Sequence, residues 1–102
     1  MRSLLALSIL AVAALLPAQD APHVVFLVGE REYGSERTMR AFAIRLAEEL
    51  GMQTTVLQSA RDELPELGPL DSADLLVMFL RFRQADEGQF ARLQRWFDEG
   101  RP

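Results

Sequence analysis

Two uninterrupted apolar runs, VVFLV at residues 24–28 and LLVMFL at 75–80, constrain this chain more than any other feature. A strand with one face in water alternates polar and apolar residues. A run with no polar position in either register must be covered on both faces, as central strands of a parallel sheet are. Helical periodicity follows each run. Met39, Phe42, Ala43, Leu46, Ala47 and Leu50 recur at spacings of three and four, with Ser35 placed to cap the start and Gly51 to close the end. Gln53 to Gln58 is short and β-branched, so residues 24–58 read as a βαβ unit with a right-handed crossover. Residues 59–73, SARDELPELGPLDSA, carry Leu64, Leu67 and Leu70 at threes and predict a turn or two of helix over the sheet edge. Asp86 and Gln89 form a capping-box pattern ahead of a helix whose buried stripe is expected to be Phe90, Leu93, Trp96 and Phe97, with Gly100 stopping it.

The first residues read differently. Arg2 is a minimal basic start, Leu4 to Leu16 is a thirteen-residue apolar stretch, and Ala18 offers a small residue for cleavage. That is the pattern of a secretory signal peptide over 1–18, predicting an exported protein, periplasmic or extracellular. Thirteen residues fall short of the about 20 that span a bilayer, so no stable membrane span is expected. Cleavage leaves residues 19–102 and takes the formal charge from −4 to −5 as Arg2 is lost. An acidic chain without a basic run argues against nucleic acid or an anionic membrane as partner. With no cysteine, disulfides, thiolate metal sites and cysteine nucleophiles are excluded from these residues.

The closing Gly-Arg-Pro at 100–102 reads as a loop opening onto a further strand. The expected fold is therefore α/β: a flavodoxin-like three-layer parallel sheet of order 2-1-3-4, truncated before the fourth strand. In such sheets ligands lie beyond the carboxyl ends of the strands, where the strand order reverses. Strand one ends in Glu30, Glu32 and Tyr33 and strand three in Arg81 and Arg83. Carboxylates, a phenol and guanidinium forks at one rim suit a small, hydroxyl-rich or charged molecule. The bland alternative is that Glu30 and Glu32 are solvated loop residues paired with those arginines. The loop GEREYG lacks the spacing of a dinucleotide fingerprint or a phosphate loop. His23 precedes strand one and so belongs to the opposite end of the sheet. No nucleophile and base pair, no metal-ligand set and no cofactor motif can be read from these residues, so catalysis stays open.

The segments HVVFLVGEREYGSERTM, AEELG, DLLVMFLRFR and WFDEGRP together resemble the start of ThuA-like proteins, the trehalose-utilisation family with a class I glutamine amidotransferase-like α/β fold. The resemblance covers nearly all of residues 23–102, most specifically G-E-x-E-Y after the first strand and R-x-R after the third. Gly29, Glu30, Glu32, Tyr33, Thr38, Arg81 and Arg83 fall on the family pattern. The resemblance implies a link to sugar metabolism and a pocket at the carboxyl ends of the strands. It also implies a further strand and a turn bearing serine and histidine, which this chain does not reach. The expectation is an exported ThuA-like domain that binds or processes a sugar or sugar derivative through Glu30, Glu32, Tyr33, Arg81 and Arg83. The rival is a non-catalytic carbohydrate-binding or inert truncated module. A glutamine amidotransferase is a distant third, since its cysteine would have to lie in sequence not present here.

Overall fold

In the computed structural model the described residues are 20–59 and 61–102, so the expected signal peptide and its cleavage point lie outside them. The elements follow in the order β1 (His23–Gly29), α1 (Ser35–Leu50), β2 (Gln53–Gln58), a 3₁₀ turn (Gly68–Ser72), β3 (Leu75–Leu80) and α2 (Glu87–Asp98). All strand pairs are parallel and the sheet order is β2-β1-β3. The fold is α/β. Register is continuous, with Val24 to Val28 opposite Thr54 to Gln58 on one side and Leu75 to Phe79 on the other.

The first apolar run behaves as its composition demands. Val24 through Val28 are 0–3% exposed, because β1 has a strand on each side and a helical layer on each face. Val24, Phe26 and Val28 pack with Ala43, Met39 and Leu46 of α1. Val25 and Leu27 face the other way, onto Leu67, Leu70, Ala73 and Trp96, with Leu93 beside them. Each such buried side chain contributes about 1.5–3 kcal/mol relative to remaining in water.

The second run is a different case. β3 lies at the edge of the sheet, and Leu75, Met78 and Phe79 are 39–42% exposed. On its outer side the Leu76 N–H donates to the Pro102 carbonyl at 3.0 Å.

Several local expectations are corrected. Ser35 does not cap α1. Gly34 occupies the cap position in the left-handed conformation (φ 66°), and Ser35 is the first helical residue, buried beneath it. The capping oxygens come instead from Glu30. Segment 59–73 does contain a helical turn, but Leu67 and Leu70 lie on the β1 face beside α2, not over a sheet edge. The aromatic stripe of α2 divides. Trp96 is buried and Leu93 half-buried, whereas Phe90 and Phe97 are 63% and 52% exposed. Phe90 and Phe97 are seven residues apart, nearly two full turns, and share the flank adjoining the one that Leu93 and Trp96 turn to the core. Phe42 and Leu50 of α1 are likewise exposed, although the Phe42 ring still meets Phe26 edge-on at 5.9 Å.

The helix ends are otherwise as their sequences specify. The Asp86 carboxylate accepts from the Gln89 N–H at 2.7 Å and the Gln89 side chain accepts from the Asp86 N–H, closing the capping box. Gly51, at φ 65°, donates to the Ala47 carbonyl while Met52 donates to Leu46, which ties off α1. Among the described residues no helix is long and apolar enough to cross a membrane.

Candidate functional site at the carboxyl ends of the strands

Because the three strands run parallel, the residues just after Val28, Gln58 and Leu80 emerge at the same end of the sheet. The polar groups there form two small assemblies, one over β3 and one between β1 and β2.

The first is centred on Arg81. Its Nη1 donates to the Glu32 carboxylate at 2.6 Å and to the Tyr33 hydroxyl oxygen at 3.2 Å, across 49 and 48 residues of chain. Its guanidinium lies 5.8 Å from the Tyr33 ring centre and 4.8 Å from that of Phe82. Tyr33 in turn meets Phe79 edge-on at 6.4 Å. Since both charged partners are largely exposed, at 41% and 56%, the ion pair adds little stability, about 0–1 kcal/mol. What it does is hold a carboxylate, a phenol and a guanidinium in one place.

The second assembly is centred on Arg83. Its Nε donates to the Ser59 hydroxyl at 2.7 Å, and its Nη1 donates to the Arg81 carbonyl at 2.9 Å and, at 3.4 Å, to that of Phe82. Ser59 is buried and passes its own proton toward the Arg61 carbonyl. This pair sits directly over Gly29. A Cβ at that position would stand 2.8 Å from Ser59 Oγ and 2.9 Å from Arg83 Nε, so the glycine leaves the space the pair fills. Among the described residues Arg83 has no carboxylate within ion-pair distance.

Arg83 borders two small cavities. One, of about 190 Å³, is lined by Arg31, Glu32, Asp62, Arg81, Phe82 and Arg83. The other, of about 180 Å³, has Gly29, Glu30, Ser59 and Arg83 on its walls. Asp62 is brought to this end of the sheet by its carbonyl, which accepts from the Gln84 N–H at 2.7 Å. A wider, open hollow over the first turns of α1 is lined by Tyr33, Arg37 and Arg40 among others and does not include Arg81 or Arg83.

Phe82 links the two assemblies through its backbone. Its φ of 55° is the only positive value at a non-glycine residue among those described. For a bulky side chain this left-handed conformation costs about 1–3 kcal/mol, and the two carbonyls that bracket the turn are the ones Arg83 holds.

Glu30 plays a different part from Glu32. It is 8% exposed, and its two oxygens accept from the Tyr33 and Ser35 N–H groups, both at 2.7 Å. The nearby Ser35 hydroxyl, then the Tyr33 N–H, bring its carboxyl down from the ordinary 4.5 to about 2, against a smaller opposing effect of burial. Ser35 Oγ meets no partner at full hydrogen-bond geometry, so its influence is that of an adjacent dipole and the two N–H bonds are the formed ones. Glu30 thus anchors the start of α1 from the end of β1.

The five residues singled out in the sequence are therefore sorted by geometry. Glu32, Tyr33 and Arg81 touch one another, Arg83 stands beside them on Ser59, and Glu30 is turned inward to the helix. Thr38 is occupied within α1, its hydroxyl donating to the Ser35 carbonyl at 3.2 Å. His23 lies at the other end of the sheet, in contact with Ser72 and Thr55. Ser59, Phe82, Asp62 and the close packing over Gly29 had not been anticipated. The available signal was position alone, since Ser59 directly follows β2 and Phe82 separates the two arginines. Among the described residues no group of three or more acidic or imidazole side chains is placed to hold a metal ion. Comparisons with protein-family models, with curated proteins and with solved structures gave no match to this chain.

Proposed function

We propose that this chain is the N-terminal part of an exported ThuA-like α/β domain that binds or processes a sugar or sugar derivative at the carboxyl ends of β1 and β3. The observation that carries the reading is the convergence of Glu32, Tyr33 and Arg81 within hydrogen-bond distance from two different strand ends. A carboxylate accepts from hydroxyls, a guanidinium donates to them, and a phenol does both, which is the mixed complement a polyhydroxylated ligand requires. Arg83, with no carboxylate partner at ion-pair distance among the described residues, would meet a ligand's carboxylate or most acidic hydroxyl.

The full sheet order in this reading is the flavodoxin-like 2-1-3-4. Its support is the outer side of β3: a half-exposed apolar surface and one N–H already bonded to Pro102 fit a strand laid alongside. That strand would put the strand-order reversal between β1 and β3, at the Arg81 assembly.

The test is a chemical-shift titration of the protein with neutral pyranoses and with uronic acids. Saturable shifts at residues 29–34 and 81–84, weakened by Arg81→Ala and by Glu32→Gln and unaffected by His23→Ala, support the reading. Shifts confined to the His23 end of the sheet, or absent for all ligands, overturn it.

A further inference from the structure

We propose that Phe82 is the stacking residue of this rim, its ring held outward to take the apolar face of a pyranose. The inference rests on the sugar-binding reading and adds to it the contact that orients the ring. Three observations converge on this one side chain.

The first is conformational. A bulky residue stands in the left-handed region, at φ 55°, where glycine would be at ease. The turn is not imposed by a short connection, since Gln84 and Ala85 still follow before the Asp86 cap of α2. The second is how that conformation is held. Arg83 grips the carbonyls on both sides of the Phe82 nitrogen, is itself anchored on Ser59, and occupies space that a Cβ at position 29 would fill. Elements from all three strand ends thus cooperate to fix a turn whose only outward product is the direction of one ring. The third is what the ring does next. Phe82 is 76% exposed, joins neither core cluster, and borders the cavity that also holds Glu32, Arg81 and Arg83.

A buried phenylalanine would explain itself by the area it removes from water. This one stays 76% exposed and sits on a backbone that its own Cβ makes unfavourable, so the fold gains little from it beyond the contact with Arg81. A pyranose supplies the missing partner. Its C–H groups form an apolar face that is attracted to the negative face of an aromatic ring. Its hydroxyls project around the edge, where the Arg81 guanidinium, 4.8 Å from the Phe82 ring centre, and the Glu32 carboxylate stand ready. Arg81 covers part of the ring and remains in reach of the hydroxyls. Tyr33, 66% exposed and hydrogen-bonded to the same guanidinium, extends the platform and offers its phenolic oxygen.

Replacing Phe82 by glycine separates this role from a structural one, because glycine accepts the backbone conformation without strain. The full chain is titrated with glucose, galactose and glucuronate, and with sorbitol as an open-chain polyol, while melting temperature is measured in parallel. The expected result is that Phe82→Gly melts at or above the parent temperature, binds pyranoses about tenfold more weakly, and loses any preference over sorbitol. Phe82→Trp should retain binding. A Phe82→Gly protein that melts lower and binds the pyranoses as well as the parent overturns the proposal, leaving Phe82 as a prop for Arg81. If Arg81→Ala and Glu32→Gln weaken binding but Phe82→Gly does not, the rim site stands and the stacking role falls. Should the parent bind no pyranose at all, the site reading and the stacking role fall together.

Discussion

β1 and β3 are built from nearly interchangeable side chains and end in opposite circumstances. Val24 to Val28 are 0–3% exposed, while Leu75, Met78 and Phe79 retain 39–42% of their surface. Composition is not the cause, for LLVMFL is if anything larger and more apolar than VVFLV. The cause is the surroundings: among the described residues β1 has a strand on each side and core side chains packed on both faces, whereas β3 has one strand neighbour and little helical cover. An apolar run states a capacity for burial. How much of that capacity is used depends on where the strand sits in the sheet order.

The largest effect that could break this comparison is a cavity in β1. Leu27→Ala should cost about 2–5 kcal/mol, because the site is enclosed on both faces and cannot collapse. Met78→Ala, the same kind of truncation on β3, should cost less than about 1.5 kcal/mol, since solvent already reaches the side chain. Chemical denaturation of both variants measures the ratio. Equal losses would show that β3 is as enclosed as β1 and would dissolve the contrast.

Next in size is the link from the end of β1 to α1. Glu30→Gln should lower the melting temperature by several degrees at neutral pH, as the helix loses its anionic anchor. The pH dependence follows from the direction of the shift. The folded carboxyl is depressed to about 2 from the ordinary 4.5, so its stabilisation is complete above about 4.5 and disappears as pH falls toward 2. The gap between parent and Glu30→Gln should therefore be constant down to about pH 4.5 and close below it. A gap that stays constant to pH 2 would mean that the carboxyl is not the anchor.

A smaller effect is expected at Gly29. Glycine to alanine should cost at least about 1 kcal/mol, because Ser59 Oγ and the mid-chain Nε and Cγ of Arg83 stand 2.8–3.1 Å from the added Cβ and the hydrogen-bonded pair must shift. The signature to follow is local, a shift of the Phe82 and Ser59 amide resonances. Smallest of all in stability is the outer side of β3. Met78→Lys should change unfolding free energy by less than about 1 kcal/mol, since the lysine stem keeps much of the apolar contact, yet reduce any concentration-dependent association seen in sedimentation, because charge on an open edge discourages strand addition. An unchanged sedimentation profile across concentrations in the parent would show that the edge is already protected.

The sheet and helices were legible because each rests on a pattern that repeats along the chain: two apolar runs, two helical periodicities, and glycine at the end of α1. The cap of α1 was not. Ser35 had the right chemistry, but the helix starts at Ser35 itself, whose N–H is taken by a carboxylate five residues earlier, and that reach depends on how the chain leaves β1. The α2 stripe was half legible, because periodicity identifies a face but not how much of it a neighbour covers. At the rim, the meeting of Glu32, Tyr33 and Arg81 follows from strand direction together with the adjacency of β1 and β3. The Arg83 grip on Ser59 and the left-handed turn at Phe82 do not, as they depend on a contact across strand ends and on a dihedral angle that side-chain chemistry would have argued against.

The inward turn of Glu30 carries a consequence for selectivity. The start of a helix ordinarily welcomes phosphate, because its free N–H groups converge and its dipole is positive there. In this chain the Tyr33 and Ser35 N–H groups are already taken by the protein's own carboxylate, which keeps its negative charge down to about pH 2. A phosphorylated ligand approaching this end of the sheet would find those donors occupied and a fixed anion among them. Any anion held at this rim would therefore have to be met by its arginine side chains, the start of α1 being closed to it by a residue that need never touch the ligand.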